Sequence, residues 1–519
     1  MNASALLKLL SQMILTFIIY CFILILMPIM WALIIFFYLF KKFLELYLMI
    51  KFRRKFGGML YTSDELMLEK DTQKNVITSI LIIKTENDIT DVFQKITAMV
   101  EYGVKHAEKF PKLSSTVHSC CGYGYLLRKD IDVHQCVRTI TVDEDSDKTI
   151  KDVLYEINKS ELPYDNKFLW QFVIVTGPNK WKLRQNIRED QMYLLLRVHH
   201  VFGDGLSIIK AFIGMHSSVD LSNIKKVLGK ANKKKNILVK MLELICFPFL
   251  LPHTLMINKA RKSSSLGYME PTGSETTSSR KFYFKIDEDD TIIRCVKRIK
   301  KAIGNTAFVE VVLTSISASL ERYSANNCIS IPEAAITVAP TMHIDMNERK
   351  KDVETKNRFG LLVFQMPISL ESLSLSDRLT ELKKATRKIA NSGHLKVTFL
   401  LINYIIGLFP NNMARYLFNV DNYGICFSNI PSLPKVRLFN GLEIEHMVFF
   451  PPVKGASGVA FGLSTFDDKI HLGLAVNDKI MINHENCQKI VDDVFQFIRL
   501  FDEELHMKEL PTKFVSIKL

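Results

Sequence analysis

Two adjacent histidines, with an aspartate four residues beyond the second, carry the chemistry that this chain offers most clearly. His199-His200-Val201-Phe202-Gly203-Asp204-Gly205 follows Met192 to Leu196, an apolar run with the length and two-sided hydrophobicity of a buried strand. It precedes Leu206, Ile209, Phe212 and Ile213, whose spacing is helical. The three polar side chains therefore sit where a strand hands over to a helix. A hydroxyl is a poor nucleophile at neutral pH, and a neutral imidazole within hydrogen-bond reach supplies the missing base. His200 is the candidate for that part. Asp204 is placed to cap the helix or hold a nearby arginine, and Gly205 leaves room for close backbone approach. If strand alternation persists, His199 points to the opposite side and supports the loop. The plain alternative is a half-buried histidine followed by an ordinary Asp-Gly turn. Two histidines and Asp-Gly at fixed spacing, in a chain with only 13 histidines, favour the functional reading.

The spacing HHxxxDG resembles the signature of the wax ester synthase/diacylglycerol acyltransferase family of O-acyltransferases. Its HxxxDG part is shared by the wider group of acyl-CoA-dependent acyltransferases. Other likenesses follow in chain order from about Tyr61 onward and are looser. Leu169-Trp170 resembles a Leu-Trp strand of the family, with Phe168 where Pro is usual. Phe308 to Tyr323 resembles a helix rooted in Asn-Asp-Val, although the Asn-Asp pair is missing and only Asn305 is nearby. Ala335 to Pro340 resembles a Val-Pro-Val strand, with Asn357-Arg358-Phe359-Gly360 and the strand Leu361 to Met366 after it. Cys426-Phe427-Ser428-Asn429-Ile430-Pro431 resembles a Ser-Asn-x-Pro loop, which makes Asn429 and Ser428 substrate-binding candidates. Gly458 to Val476, two alternating strands around Asp467-Asp468-Lys469, resembles the end of the family's domain, with Asp478 where an acidic residue follows.

The resemblance implies an α/β fold of two chloramphenicol-acetyltransferase-like domains, with the histidine at a channel between them. It also implies acyl-CoA as substrate, a fatty alcohol or diacylglycerol as acceptor, no further cofactor and no covalent enzyme intermediate. Two rival readings are a catalytically silent lipid-binding protein and an acyltransferase with a non-lipid acceptor.

The composition agrees with lipid contact. At 519 residues the chain exceeds one ordinary domain, and 48% of it is hydrophobic, high for a soluble enzyme. A net charge of +14 fits either nucleic acid or an anionic membrane surface, but no nucleic-acid motif is present. Nine scattered cysteines, two of them adjacent at Cys120-Cys121, do not read as a disulfide framework, and none has zinc spacing. Gly455-Ala456-Ser457-Gly458 fails the spacing of a nucleophile elbow, which excludes a lipase of that kind.

The organisation read from the chain has four parts. Residues 1–56 hold an uncharged run, Leu9 to Phe40, that as one helix would be roughly 48 Å long against a hydrocarbon core of about 30 Å. Pro28 near its middle admits a kinked tilted helix or a re-entrant hairpin. Lys41, Lys42, Lys51, Arg53, Arg54 and Lys55 outnumber Lys8, so the following chain is expected on the cytosolic side of a membrane, the endoplasmic reticulum by the resemblance. Phe43 to Ile50 reads as an interfacial helix or a simple basic flank. Residues 57–228 are expected to form the first acyltransferase domain and 281–519 the second. Between them, 229–280 holds a basic-flanked apolar segment, interfacial or a core crossover, and a Ser/Thr/Gly-rich linker from Ser263 to Ser279.

Overall fold

A computed structural model of the chain describes residues 3–68, 75–85, 88–106, 110–214, 280–330, 332–341, 355–369, 373–390, 393–418, 423–433, 437–438, 441–453, 458–477 and 486–509. The expected crossover and linker, Gly455 to Ser457 and Asp478 lie outside the described residues. The first half supplies β1 (Phe56–Met59), β2 (Val76–Lys84), β3 (Ser115–Cys120), β4 (Tyr123–Arg128), β5 (Val137–Thr141), β6 (Trp170–Thr176) and β7 (Gln191–His199). The second supplies β8 (Arg280–Ile286), β9 (Ala334–Thr341), β10 (Gly360–Pro367), β11 (Ile425–Leu433), β12 (Arg437–Leu438), β13 (Leu442–Phe450), β14 (Val459–Phe466) and β15 (Lys469–Asn477).

Two six-stranded sheets hold twelve of these strands, in the orders β12-β13-β2-β7-β6-β5 and β10-β9-β11-β14-β15-β8, and the other three form a small sheet in the order β1-β4-β3. Strand β7 lies inside the first, antiparallel to β2 and β6, and all nine of its residues are buried. Its alternation explains why: Leu194, Leu196 and Val198 enter the core of the first half, while Tyr193 and Leu195 enter an apolar layer between the two sheets. The outer face of the second sheet is covered by the helices Thr291–Ile303, Phe308–Asn326, Leu375–Ala390 and Cys487–Glu509, which share one core with it. Strands β14 and β15 form the expected hairpin. Asp467 and Asp468 at its tip both have positive φ, the twist a two-residue connection needs.

The chain-order division at residue 281 does not separate the sheets. Strand β13, from the second half, pairs antiparallel with β2 and closes the edge of the first sheet, with β12 beyond it. Leu442, Ile444 and Met447 then complete the first core, while Val448 and Phe450 complete the layer between the sheets. Where β13 passes over the second sheet, the paired residues Gly462 and Gly473 form a notch, and a Cβ on either would run into the Phe449 carbonyl oxygen.

The amino-terminal segment is one continuous helix, Ala3–Phe52, with Pro28 inside it, so the re-entrant hairpin falls away. One face of its end packs on the body, while Phe43, Leu46, Tyr47, Met49 and Ile50 stay exposed. Leu44 and Leu48 are buried against Tyr123 and Tyr125, and the Phe37 ring packs tilted against Phe409, centroids 5.2 Å apart. Lys41, almost buried, donates to Leu60 O, to Gly407 O and to Glu65 at 3.2 Å. Among the described residues no single helix is long and apolar enough to cross a membrane.

Candidate active site

The strand-to-helix handover at His199 is built by backbone hydrogen bonds on both sides of β7. His199 N donates to Leu169 O at 2.8 Å and His200 N to Asn75 O at 2.7 Å, which fixes the direction in which each side chain leaves the strand. His199 is fully buried, and its Nδ1 accepts from Val201 N at 3.2 Å; that ring therefore carries its proton on Nε2. His200 is half-buried and lines a large cavity. The two neighbours thus face different surroundings, one the turn and the other open space.

Asp204 ends the turn. Its carboxylate accepts from Ser207 N at 2.9 Å, capping the helix Gly205–Gly214, and from Arg358 N at 3.0 Å. The second contact ties the turn to residues 355–359, an extended segment before β10. Ser207 Oγ donates to Lys356 O at 2.8 Å in the same region. Gly203 permits the approach, since a Cβ there would press on Ser207 Cβ and come within 3.4 Å of Lys356 N. A Cβ on Gly205 would instead meet only the end of the Ile430 side chain.

Asn357 in that segment touches His200 directly. Its Oδ1 lies 2.9 Å from His200 Nδ1, and its Nδ2 donates to His200 O at 2.7 Å and to Asp64 Oδ1 at 2.8 Å. Asp64, buried in the short helix Thr62–Glu65, also accepts from Asn357 N at 3.0 Å and from Lys112 Nζ at 2.6 Å. Lys112 donates further to Val201 O at 2.7 Å and Phe202 O at 3.2 Å, holding the turn from behind. Buried charge tolerates this position because every member is paired and hydrogen-bonded. Next to Asp64, burial pushes the Glu65 carboxyl up to about 7 even though Lys41 and Gly124 N–H stabilise its charge.

The cavity is walled from both halves of the chain. Leu81, Leu196, Val198, Ile208 and Phe212 wall it from the first half, and Val338, Leu361, Ile430, Met447 and Phe466 from the second. The few polar groups that reach it include His200, Asp204, Ser79, Tyr423, Ser428 and Asn429. Ser428 and Asn429 stand in β11, paired with Gly462 and Leu463 of β14, so the expected loop is a strand there. The pairing slips only after Ile430, where Pro431 has no N–H to give. Among the described residues no group of three or more His, Cys, Asp or Glu could hold a metal ion. The eight described cysteines are all free, with Cys120 and Cys121 Sγ 4.0 Å apart.

Sequence reasoning reached His199, His200, Asp204, Gly205, Ser428 and Asn429, and the fold brings His200, Asp204, Gly205, Ser428 and Asn429 to one cavity. It missed Asp64 and Lys112, and took Asn357 only as a strand flank. The available signal was Asn357-Arg358 just ahead of β10, in a segment with few apolar residues of its own.

The two-sheet architecture with a histidine-lined channel defines a CoA-dependent acyltransferase fold. It is similar to that of the wax ester synthase/diacylglycerol acyltransferase from Marinobacter aquaeolei VT8, at TM-score 0.56 and 13% identity over 86% of this chain and 100% of that one. Trichothecene 15-O-acetyltransferase from Fusarium sporotrichioides gives TM-score 0.57 and 13% identity, covering 85% and 94%. The first condensation domain of the calcium-dependent antibiotic synthetase gives 0.53 and 13%, covering 86% and 95%. No curated protein sequence matches the chain. Over residues 355–500 the chain matches the family model described as WS/DGAT C-terminal domain. It is an acyltransferase.

Proposed function

We propose that the chain transfers a long-chain acyl group from acyl-CoA to the hydroxyl of a fatty alcohol or of diacylglycerol, with His200 as general base. One observation carries this reading: His200 lines a cavity whose walls are otherwise almost wholly apolar and come from both sheets. Each buried methylene contributes about 0.8 kcal/mol, so such walls hold an aliphatic chain by its length. A small polar acceptor gains nothing from them, which favours a lipid acceptor.

With His200 Nδ1 engaged by Asn357, Nε2 is the nitrogen that takes the hydroxyl proton. The alcohol oxygen forms a bond to the thioester carbonyl carbon as that proton moves, giving a tetrahedral oxyanion. The C–S bond then breaks, and the imidazolium returns its proton to the coenzyme A sulfur. Asn429, in the cavity wall, is the carboxamide suited to donate to the oxyanion, with Ser428 beside it.

The exposed apolar surface of the amino-terminal helix supports attachment to a membrane. Phe22, Ile25, Ile29, Trp31, Ile35 and Phe36 all stand exposed on it, a surface costly to leave in water. The basic residues at its body end favour the cytosolic face, where acyl-CoA is found, and we place the protein on the endoplasmic reticulum.

Acyl-CoA consumption by the purified chain, with hexadecanol and diacylglycerol as rival acceptors, tests the reaction. Ester should form with one or both, and His200→Ala should lower turnover by about 10² to 10⁴-fold while acyl-CoA still binds. Near-normal turnover in His200→Ala would sink the mechanism.

A further inference from the structure

Resting on that reading, we propose that Asn357 is a positioning residue which, clamped by Asp64, holds His200 in the tautomer whose proton lies on Nδ1. An amide nitrogen and oxygen have nearly the same shape, so orientation must come from the partners. Here the partners leave no choice. One end of the Asn357 amide faces two oxygens that can only accept, Asp64 Oδ1 at 2.8 Å and His200 O at 2.7 Å. That end must be the NH₂ group, and it spends both hydrogens there. The other end is consequently Oδ1, an acceptor, 2.9 Å from His200 Nδ1. Nδ1 must donate to it, and the lone pair falls on Nε2.

Asp64 keeps the amide from turning over. Its Oδ1 also takes Asn357 N at 3.0 Å, and its Oδ2 is held by Lys112 at 2.6 Å, so neither oxygen is available for another arrangement. Ser63 Oγ closes the clamp on Asn357 O at 2.5 Å. Lys112 offsets the Asp64 charge, and a neutral amide rather than a carboxylate touches the ring. The base is thereby oriented by a neutral partner rather than by a directly adjacent carboxylate. All three positioning side chains are buried, so water does not compete for them.

Two variants of similar size separate positioning from mere packing. Asn357→Leu removes the acceptor; Asn357→Asp keeps it, gives up the two donor bonds to Asp64 and His200 O, and adds charge. Acyl transfer by the purified full chain is followed with pH at saturating and limiting acyl-CoA. Asn357→Leu should lower kcat at least tenfold with KM for acyl-CoA within about threefold of wild type, and should move the acidic limb of kcat/KM to lower pH. Asn357→Asp should retain more kcat than Asn357→Leu and move the same limb to higher pH, because a carboxylate stabilises the imidazolium. Equal losses in both variants with an unmoved limb, or an Asn357→Leu enzyme within twofold of wild type, would overturn the proposal.

The tautomer is also read without turnover, from ring ¹⁵N shifts of histidine-labelled protein, with His200 assigned by its absence in His200→Gln. The expected wild-type signal is protonated Nδ1 and unprotonated Nε2, lost in Asn357→Leu. A wild-type ring protonated on Nε2 overturns the inference even if turnover is at background, the outcome that would instead count against the proposed reaction.

Discussion

Glu65→Gln isolates a charge buried where the amino-terminal helix meets the catalytic body. In the native chain Glu65 accepts from Lys41 and from Gly124 N–H, yet burial outweighs both and lifts its carboxyl from 4.5 to about 7. A folded-state pKa above the unfolded value means that the protonated carboxyl stabilises the fold. This contribution is complete below pH 4.5 and is lost as pH rises through about 7. Two to three pK units at about 1.4 kcal/mol each amount to roughly 3 kcal/mol in full, of which roughly 2 kcal/mol disappears between pH 5.5 and 8. The amide of Glu65→Gln does not titrate. Its one oxygen can replace only one of the two carboxylate oxygens that accept from Lys41 and Gly124 N–H, and its NH₂ then faces the other donor, a pH-independent cost of about 1–3 kcal/mol. Wild type should therefore exceed Glu65→Gln most at pH 5.5, and the gap should close by several degrees of Tm as pH is raised to 8. Thermal unfolding of both proteins across that range reads it directly. Parallel Tm curves for the two proteins would show that Glu65 does not titrate as argued.

Gly462→Ala should destabilise by about 1–3 kcal/mol, because its methyl group has only the Phe449 backbone to push against; a Tm equal to wild type would remove the notch argument. For the membrane placement, a C-terminal tag in intact microsomes should be open to protease, and a protected tag would reverse the orientation.

The strand, turn and helix around His199, His200 and Asp204 were legible in the sequence because local rules decide them. Apolar periodicity gives β7 and the helix after it, and Asp204 caps that helix through Ser207, three residues on. The same rules give the β14 to β15 hairpin. Tertiary structure decided what the local rules do not reach. Ser428 and Asn429 resemble a loop by sequence, but pairing with Gly462 and Leu463 of β14 draws them into a strand. Strand β13 has ordinary alternation, and nothing in it names β2, more than 350 residues earlier, as its partner. The orientation of the base depends on Asp64, Lys112 and Asn357, side chains from three distant segments, and the bonds of Asn357 to His200 and Asp64 exist only once the two halves have closed. A buried polar network is specified by mutual satisfaction in space, and a linear pattern carries no record of which donor will meet which acceptor.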